Sequence, residues 1–389
     1  EKKHFWGYSD LTTIINAIVK LYIEKEKLGS ADIMETIALL APTGRAAKKM
    51  NSSTGIPAYT IHRYLKWYKD SNEFVYNEFN KTHHKLIIVD EVSMIDVDLF
   101  NALLNGINSN IKLILVGDTF QLPSVGPGLV LNELIESDYF NYIPLNQIYR
   151  QSDNSYIPFL AKEIKNNDLS EEFLTKKDDY NFVNVDSSNI KKAIMQITNY
   201  SLSKGLDERN VQVLAPMYKT LNGIDMINHS LQEVYNPKSK NKKELVINGV
   251  VFRENDKVIQ LSNMPDENVF NGDIGIITEI YNGSKKEIYI DFDGNTVRYT
   301  PANFQKFKHA YAISIHKSQG SEFDTVLIPL VNQYGKMLYR KLIYTAVTRA
   351  KKKLYLVGEI SALEKAIQNN DVNLRRTTLK EMLNKHPER

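Results

Sequence analysis

Short apolar runs that end in polar or turn-forming clusters are the feature of this sequence that most constrains its fold. The runs are rich in Ile, Leu and Val, have the length of one β-strand, and occupy residues 37–40, 86–89, 113–116, 211–214, 326–328 and 354–357. Strands that are apolar on both faces are typical of a parallel sheet covered by helices. Because the runs fall into two sets, we expect an α/β protein with two parallel-sheet lobes.

The residues that flank these runs indicate where a ligand would bind. The carboxyl ends of parallel strands form the ligand edge of an open α/β sheet, and the polar clusters lie at those ends. Residues 12–27 are predicted to form a helix, because Ile15, Ile18, Val19 and Tyr22 recur at helical spacing. We expect this helix to pack one face on the first sheet.

Two segments depart from the alternation of strands and helices. Residues 235–304 contain short alternating strands separated by Asn-Gly, Asp-Gly and Gly-Asp turns, which predicts a small β-barrel inserted into the second lobe. Residues 66–85 place aromatic side chains among charges, which predicts a β-hairpin. On spacing alone, a hairpin that seals the lobe surface and one that contacts nucleic acid are equally good interpretations.

Composition limits the class of protein. The 389 residues exceed a usual single domain, and with 42% hydrophobic residues and no bilayer-length apolar run we expect a soluble protein without membrane contact. The chain has no cysteine, which excludes disulfides and thiolate metal sites, and no signal-peptide pattern, so we expect a cytoplasmic location. The net charge of +3 means that any binding to a phosphate backbone depends on local patches.

Two adjacent carboxylates, Asp90 and Glu91, follow the apolar run at 86–89. Phosphoryl transfer needs one carboxylate to hold hydrated Mg²⁺ and a second group to orient the attacking water. Asp90 suits the first role and Glu91 the second. The alternative, an acidic helix N-cap after a strand, explains a lone Asp-Glu pair equally well.

Further polar groups follow other strands. Gln121 comes after the Gly117-Asp118 pair, where its amide can sense a terminal phosphate, although the pair alone could be a simple turn. Arg150 follows a strand-like run at 143–145, and Arg349 lies on a predicted helix. A single arginine is usually a surface charge, but two beside the second lobe are what a nucleotide site between lobes would need.

Seven ordered segments together resemble the helicase motifs of the RecD-like branch of superfamily 1. They read APTGRAA (41–47), TIHR (60–63), DEVSM (90–94), GDTFQLPSVGPG (117–128), YRQ (149–151), IHKSQGSE (315–322) and YTAVTRA (344–350). Their order and spacing match over roughly residues 11–360, which makes a chance match of the set far less credible than that of one motif.

The resemblance implies a fold and a division of the chain. It implies two RecA-like P-loop NTPase lobes with parallel sheets and ATP between them, an inserted β-hairpin acting as a pin, and an SH3-like β-barrel. The expected parts are a first lobe at 1–140 with the hairpin at 66–85, a second lobe beginning at 141–234, the barrel at 235–304, and the rest of the second lobe with a C-terminal tail at 305–389. It also implies movement along single-stranded DNA in the 5′ to 3′ direction.

The resemblance assigns roles at the nucleotide to matching positions. The catalytic group would be Asp90, Glu91, Gln121, Arg150 and Arg349. The residues that bind ATP would be Thr12, Thr13, Gly117, Asp118, Gln121, Arg150, Gly320, Glu322 and Arg349, with Thr12 and Asp90 holding Mg²⁺.

The resemblance also assigns a nucleic-acid path. It would consist of Pro42, Thr43, Gly44, Arg45, Thr60, His62, Pro123, Ser124, His316, Lys317, Ser318 and Gln319. Strand-end loops of this type offer backbone N–H groups and hydroxyls to phosphates without reading base identity. Taken singly, His316 would be a core histidine, and Arg45 and Lys317 surface charges. The basic tail 375–389 is predicted to be a solvated helix end.

The sequence departs from the family at the phosphate-binding loop. The family places a Gly-x-x-Gly-x-Gly-Lys-Thr loop before the first helix, whereas residues 5–13 contain one glycine and no lysine. Without those residues the backbone cannot wrap the phosphates and the terminal charges lose their main partner. Three explanations stay open: a loop omitted from the sequence, a truncated or altered protein, and a relative that does not hydrolyse nucleotide. The segment that holds adenine in the family is also absent from the sequence.

Three functions follow from these expectations. The first is an ATP-dependent 5′ to 3′ DNA helicase that uses Mg²⁺, acts on single-stranded DNA and duplex junctions, and works as a monomer. The second is a DNA-binding or scaffold relative that does not hydrolyse ATP. The third is a subunit of a nuclease complex, with recombination or repair proteins as partners.

Overall fold

The computed structural model describes residues 10–68, 71, 73–145, 155–370, 375 and 377–385. The chain divides into two compact units, one formed by residues 1–154 together with 373–389 and the other by residues 155–372. The domain boundaries expected from the sequence remain predictions, but the C-terminal segment groups with the first unit. Among the described residues, no helix is both long enough and apolar enough to cross a membrane.

The first unit alternates strands and helices. Its elements are α1 (Asp10–Glu26), α2 (Ser30–Thr36), β1 (Ile37–Ala41), α3 (Gly44–Thr54), β2 (Ala58–Thr60), α4 (Ile61–Tyr64), β3 (Trp67–Tyr68), β4 (Glu73–Phe74), β5 (Leu86–Val89), α5 (Val97–Gly106), β6 (Lys112–Leu115) and α6 (Val130–Glu136). The helix expected at 12–27 and the strands expected at 37–40, 86–89 and 113–116 are therefore present, each within two residues of its predicted limits.

A four-stranded parallel sheet with the order β2-β1-β5-β6 forms the centre of this unit. Both faces are covered, which is why β1 and β5 are apolar along their whole length. On one face α1 packs through Ile15 and Val19, in a cluster with Leu39 and Ile88. Because side chains alternate along a strand, Leu40 and the other residues on the opposite face pack in a second cluster, which includes residues of α5 and α6.

The predicted hairpin is shorter than the segment 66–85 suggested. Trp67 pairs with Phe74 and Tyr68 with Glu73, and the two aromatic rings of the first pair lie 4.5 Å apart. The residues after β4 form turns instead of a longer strand, held by reciprocal backbone hydrogen bonds between Asn77 and Asn80. Few residues are paired, so aromatic packing stabilises this hairpin more than its hydrogen-bonded ladder does.

The second unit contains two kinds of sheet. Its elements are α7 (Ile157–Asn166), β7 (Tyr180–Asn184), α8 (Ile190–Ser203), β8 (Val211–Ala215), α9 (Ile224–Tyr235), β9 (Glu244–Ile247), β10 (Val250–Arg253), β11 (Lys257–Gln260), β12 (Ile274–Asn282), β13 (Lys286–Phe292), β14 (Asn295–Tyr299), β15 (Phe307–His309), β16 (Ala312–Ser314), β17 (Phe323–Leu330), α10 (Arg340–Val347), β18 (Ala350–Gly358) and α11 (Ile360–Gln368).

A five-stranded parallel sheet, β16-β8-β17-β18-β7, forms the α/β part of the second unit and confirms the strands expected at 211–214, 326–328 and 354–357. The strand-like run at 143–145 is a wrong prediction. Within the described part of the chain these residues have no strand partner, and Ile143 is 83% exposed. Pro144 removes a backbone donor from this run, which disfavours a central strand position.

The inserted segment is entirely antiparallel. Strands β14-β13-β12-β11-β15 form one sheet, and β9 and β10 form a separate hairpin. Their side chains nevertheless share one core, in which Leu245 and Phe252 of the hairpin pack with Ile277 and Ile288 of the sheet. Alternating burial along β13 shows the period of two that the sequence predicted.

A buried carboxylate anchors this insertion. Asp256 is fully buried and accepts hydrogen bonds from five donors, which are Gln232 Nε2, Asn236 Nδ2, the backbone N–H of Arg253, His309 Nε2 and the hydroxyl of Tyr311. Gln232 belongs to α9 and His309 to β15. The network therefore ties the insertion to the helix that precedes it.

The C-terminal tail packs on the first unit through α12 (Leu379–Lys385). Leu379 and Leu383 contact the core cluster behind α6, and the ammonium of Lys380 lies 3.2 Å from the Glu136 carboxylate. The described part of this tail is a helix end without a buried residue, as predicted, and Leu379 and Leu383 give it a contact with the core that the sequence did not predict. The apolar side chains at positions i and i+4 give the short helix a packing face.

Candidate functional site

The parallel strands of the first unit bring four predicted segments to one edge of its sheet. In register, Ala41 lies beside Thr60, Leu40 beside Val89, and Val89 beside Leu115. The segments that begin at Pro42, Asp90 and Gly117 therefore emerge at the same edge as His62. This is the ligand edge of an open α/β sheet.

Asp90 and Glu91 form a tight turn directly after β5. Oδ1 of Asp90 accepts a hydrogen bond from the backbone N–H of Glu91 at 2.8 Å. Glu91 has φ 53° and ψ 41°, the left-handed region, which costs a residue with a side chain about 1–3 kcal/mol. Strain of this kind persists where the surrounding structure requires a particular direction of chain and side chain.

Gly117 lets β6 end against this turn. A Cβ atom at position 117 would lie 2.9 Å from Cδ2 of Leu131 and 3.1 Å from the backbone N of Val92. The N–H of Val92 donates to the carbonyl oxygen of Val116 at 3.0 Å. The glycine is thus needed for close approach, and it fixes the Asp90-Glu91 turn beside the loop that contains Asp118.

Two buried polar groups near this edge have no hydrogen-bond partner among the described residues. They are Oε1 of Gln121, whose side chain belongs to a residue 7% exposed, and Oγ of Ser93 in a residue 9% exposed. Buried polar atoms in native proteins are nearly always paired, so each calls for a ligand or water. Gln121 was predicted as a site residue. Ser93 was not, although it lies within the DEVSM segment.

The Asp118 side chain shapes the loop that leads to Gln121. Its Oδ1 accepts a hydrogen bond from the backbone N–H of Phe120 at 2.9 Å, and its carbonyl accepts from the N–H of Gln121 at 3.2 Å. Such a turn is typical of aspartate in a loop after a strand. Asp118 therefore has a structural explanation in addition to its assigned contact with nucleotide.

Thr12 and Thr13 differ in exposure in the first turns of α1. Thr12 is 5% exposed, whereas Thr13 is exposed. Burial of Thr12 follows from the packing of α1 on the sheet through Ile15, three residues later on the same face. The segment expected to contain the phosphate-binding loop, residues 5–9, lies outside the described residues.

Threonine and serine side chains cap the helices that follow three strands. Oγ1 of Thr43 accepts from the N–H of Ala46 and Oγ1 of Thr60 from the N–H of Arg63, both at 3.2 Å, and Oγ of Ser314 accepts from the N–H of Lys317 at 3.3 Å. Each cap begins a helix at the carboxyl edge of a sheet. Pro42, Gly44 and Arg45 are half-buried at the start of α3.

His62 connects the sheet edge to the hairpin. Its ring lies 6.1 Å from the Trp67 ring, edge to face, and 5.9 Å from the Phe74 ring. Burial lowers the pKa of His62, although the nearby Asp96 carboxylate opposes the shift. A neutral imidazole against two aromatic rings links the predicted nucleic-acid segment physically to the predicted pin.

Arg375 occupies the loop that contains Pro123 and Ser124. Its guanidinium donates to Oγ of Ser124 at 3.0 Å, to the carbonyl oxygen of Gly128 at 2.9 Å, and to the carbonyls of Ser124 and Gly126. Ser124 is only 4% exposed. The structure therefore argues against a direct contact between nucleic acid and the Ser124 side chain, while Pro123 is half-buried beside it.

The second unit separates the predicted residues between opposite ends of its sheet. Lys317 and its neighbours follow the carboxyl end of β16, whereas Gly320 and Glu322 lead into the amino end of β17 and Arg349 precedes β18. His316 is exposed and Lys317 is half-buried, but Ser318 is fully buried and donates to the carbonyl of Ile315 at 2.7 Å. The hydroxyl of Ser318 is thus used within this turn, and the assignment of Ser318 to the nucleic-acid path stays a prediction. Gln319 is 7% exposed.

Arg349 follows the end of α10 instead of lying within it. The residue is 3% exposed, and its guanidinium donates to the carbonyl oxygens of Thr345 at 3.1 Å and Ser321 at 3.2 Å. Glu322 lies 3.6 Å from the ammonium of Lys351. Arg150 lies outside the described residues.

The donor set fits Mg²⁺ only when a nucleotide supplies further oxygens. No group of three or more acidic or histidine side chains that could hold a metal occurs in the described part of the chain. Mg²⁺ is commonly bound by one or two carboxylates together with phosphate oxygens and water. Asp90 at the sheet edge provides the carboxylate, so the residues fit such a shared site.

Comparisons with known families match three stretches of the chain. Residues 11–127 match a family described as "AAA domain", residues 227–292 match "ATP-dependent RecD-like DNA helicase SH3 domain", and residues 309–357 match "UvrD-like helicase C-terminal domain". The second match covers most of the antiparallel insertion. It confirms the expected SH3-like class of that segment.

Among curated proteins, the chain is 33% identical over 360 residues to the ATP-dependent RecD2 DNA helicase of Deinococcus radiodurans, covering 92% of this chain and 48% of that protein. It is 26% identical over 397 residues to the RecBCD enzyme subunit RecD of Mycolicibacterium smegmatis, covering 93% of this chain and 68% of the subunit. The chain thus spans about half the length of the first of these relatives.

Solved structures agree on the fold. The Pif1 helicase from Candida albicans superposes with a TM-score of 0.54 at 16% identity, covering 96% of this chain and 92% of that one. Bacteroides Pif1 bound to single-stranded DNA gives 0.51 at 17% identity, covering 90% and 87%. The parallel sheets, the SH3 match, the ordered motifs and the curated relatives all agree, and the chain is similar to RecD-like helicases over most of its length.

Proposed function

We propose that this chain is the motor part of an ATP-dependent DNA helicase that moves 5′ to 3′ on single-stranded DNA. The observation that supports this most directly is the buried amide oxygen of Gln121, which has no partner among the described residues, on the sheet edge that also contains the Asp90-Glu91 turn. The water that attacks a bound nucleotide would donate a hydrogen bond to that oxygen.

Each residue at this edge has a distinct task in the proposal. Glu91 orients the attacking water and accepts its proton, and the oxygen of Gln121 accepts a hydrogen bond from the same water. Thr12 and Asp90 would hold Mg²⁺, and the ion would neutralise charge on the phosphates. Arg150 and Arg349 stay assigned to the nucleotide by resemblance alone.

Single-stranded DNA is the proposed track. The capped helix starts after β1, β2 and β16 present backbone N–H groups at sheet edges, as loops that bind phosphate backbones do. Arg45, His62 and Lys317 lie in the first turns of these helices. The relatives named RecBCD enzyme subunit RecD make recombination or repair proteins the proposed partners. A cytoplasmic location and a monomeric state remain predictions.

The test measures ATP hydrolysis with and without single-stranded DNA on protein whose intact mass has been determined. Hydrolysis that single-stranded DNA stimulates is expected, and unwinding should require a 5′ overhang and not a 3′ overhang. Protein with an intact mass of 44.7 kDa and no hydrolysis would contradict the motor function. Retained binding to DNA in that case would identify the hydrolysis-deficient relative that residues 5–13 left open.

The hairpin is the proposed pin that separates the strands of a duplex. Replacing residues 67–74 by a short Gly-Ser linker should reduce unwinding more than ATP hydrolysis, because β3 and β4 form a sheet separate from the parallel sheet that carries Asp90 and Glu91. Equal losses of both activities would show that the hairpin only supports the fold. Phe79→Ser is the matched control, since Phe79 is 91% exposed in the turn beyond the hairpin.

A further inference from the structure

A cavity of about 230 Å³ lies inside the second unit, where the antiparallel insertion meets the α/β part. Its walls are apolar and come from α9, β10, β11 and β16, through Ile224, Phe252, Ile259, Ala312 and Ile313. Pockets that enclose drug-sized ligands measure about 300–1,000 Å³. This cavity is therefore too small for a nucleoside triphosphate, and it suits one flat ring system.

One wall of the cavity is aromatic and rigid. The Phe252 ring stacks on the His309 imidazole, with centroids 4.4 Å apart and planes inclined by 23°. His309 is fixed in turn by the hydrogen bond from its Nε2 to the buried Asp256 carboxylate at 2.9 Å. A wall that is already fixed before a ligand enters loses little side-chain entropy on binding.

The mouth of the cavity carries two cations. The Lys308 ammonium lies 5.3 Å from the centre of the Tyr218 ring, and the half-buried Lys317 donates to Oδ1 of Asn271 at 2.7 Å. Burial lowers the pKa of Lys317, which means that its charge is poorly solvated and would gain from an anion nearby. The ligand should therefore join an apolar ring to a negative group.

A carboxylate at the same mouth excludes a simple anion from the interior. Asp225, an exposed residue in the first turn of α9, also lines the cavity. Its charge would repel a phosphate inside, but it can accept a hydrogen bond from an exocyclic amino group such as that of cytosine. Phosphates would thus stay at the lysines outside, while an amino-bearing ring enters.

We propose that this cavity takes up one unstacked, amino-bearing base of single-stranded DNA, with Lys308 and Lys317 on the flanking phosphates. The inference rests on the proposed binding of single-stranded DNA and adds a base-dependent contact to it. Lys317 belongs to the segment after β16 that was assigned to the nucleic-acid path, so the cavity opens beside that path. Binding of one base at a time in this cavity would define the position of the motor along the strand.

The experiment compares two fluorescein-labelled strands of about 10 nucleotides, within the usual site size of single-strand binding proteins. One is oligodeoxycytidylate and the other carries abasic sites on the same phosphate backbone. Uptake of a base is worth about 1–3 kcal/mol, so the base-bearing strand should bind at least about fivefold more tightly by fluorescence anisotropy.

Two variants on the β9-β10 hairpin test whether the preference for the base-bearing strand arises at the cavity. Val250 lines the cavity and is 45% exposed, so Val250→Trp can cover the mouth without entering the core. Val246 is 57% exposed and does not line the cavity, so Val246→Trp is its control. Val250→Trp should reduce the preference for the base-bearing strand, Val246→Trp should retain it, and Lys308→Ala should weaken both strands alike.

A second measurement does not depend on the folding of any variant. Irradiation of wild-type protein with a strand containing 5-iododeoxycytidine should crosslink the base to the peptide containing Tyr218 or Phe252, identified by mass spectrometry. Equal affinity for both strands, an undiminished preference in Val250→Trp, or crosslinks only outside these peptides would overturn the base site. Failure of both strands to bind would instead overturn the proposed DNA binding, and the base site with it.

Discussion

Oδ1 of Asp90 accepts a hydrogen bond from the backbone N–H of Glu91 at 2.8 Å, and this bond holds Glu91 in a left-handed conformation with φ 53°. The two carboxylates are adjacent in sequence, but the turn gives each a different relation to the sheet. Asp90 continues the strand, since its N–H donates to the carbonyl of Leu40 at 2.9 Å. Glu91 begins the following turn.

The strain at Glu91 allows its catalytic and structural roles to be separated. Glu91→Gln keeps the strain and should reduce DNA-stimulated ATP hydrolysis about a hundredfold or more, because the proton acceptor is lost. Glu91→Asn should reduce hydrolysis equally, yet raise the free energy of unfolding by up to about 1 kcal/mol, since asparagine enters the left-handed region more readily. Urea unfolding and a phosphate-release assay measure the two effects. Unchanged turnover in Glu91→Gln would remove Glu91 from its assigned role.

The Gln121 side chain should contribute more to ATP hydrolysis than to the free energy of unfolding. Gln121→Met removes a buried oxygen that has no partner among the described residues, so the free energy of unfolding should stay the same or rise by about 1 kcal/mol, while ATP hydrolysis falls. The measurements are urea unfolding and steady-state hydrolysis.

Gln260 provides the matched control for this prediction. It is fully buried, but its Nε2 donates to the carbonyl of Ser262 at 2.7 Å and its Oε1 accepts from the Tyr299 hydroxyl at 2.6 Å. Gln260→Met should therefore lower the free energy of unfolding by about 1–3 kcal/mol. A similar loss in Gln121→Met would show that Gln121 has a partner in the free protein.

The parts of the fold that depend on local pattern were predictable from the sequence. Strands such as β1 and β5 are apolar on both faces, which predicts a parallel sheet, whereas the alternation along β13 predicts an antiparallel one. The run at 143–145 has the same apolar character as β1, but no strand among the residues that the structure describes pairs with it. Composition alone does not show whether a run has a partner.

The sequence proposes which residues form the candidate site, but it does not give their geometry. Motif order predicted Asp90, Glu91 and Gln121, but the left-handed turn at Glu91 has no sequence signal, since glutamate is not a residue that favours it. Burial of Ser124 and Ser318 also depends on residues distant in sequence or on helix geometry. The contact of Arg375 with a loop about 250 residues earlier is non-local, and no period or motif reports it.

Arg375 should stabilise the loop that follows Gln121. Three backbone carbonyls and one hydroxyl converge on its guanidinium, and Arg375→Ala would leave them without this donor. We expect a loss of about 1–3 kcal/mol in the free energy of unfolding of the first unit and faster amide hydrogen exchange at residues 124–128. Hydrolysis should fall as well, because Gln121 precedes this loop.

Lys380→Ala is the control on the same tail. Lys380 forms a solvent-exposed ion pair with Glu136, with side chains 43% and 58% exposed, and such pairs contribute little. In this variant the amide hydrogen exchange rates at residues 124–128 should match those of the wild type. If Arg375→Ala matched Lys380→Ala in stability and exchange, the tail would have no role in positioning the loop.

The buried Asp256 network should make the second unit sensitive to acid. Burial opposes ionisation of Asp256, but the hydrogen bond and charge of His309, with hydrogen bonds from Asn236 and Arg253, outweigh it and hold the pKa below the ordinary value of 3.8. A carboxyl whose pKa is lower in the folded protein stabilises the fold above its unfolded pKa. That stability is lost as the pH falls from 3.8 through the folded pKa.

Asp256→Asn isolates this contribution. The amide would direct N–H groups at donors that now point to a carboxylate, so the free energy of unfolding of the second unit should fall by about 3–5 kcal/mol at neutral pH. As the pH falls below 3.8, the wild type should lose more stability than the variant, because only the wild type has this carboxyl to protonate. Glu172→Gln, which alters the solvent-exposed pair with Lys177 in the same unit, should leave neutral-pH stability nearly unchanged. Parallel pH profiles for wild type and Asp256→Asn would show that the acid sensitivity of this unit has another origin.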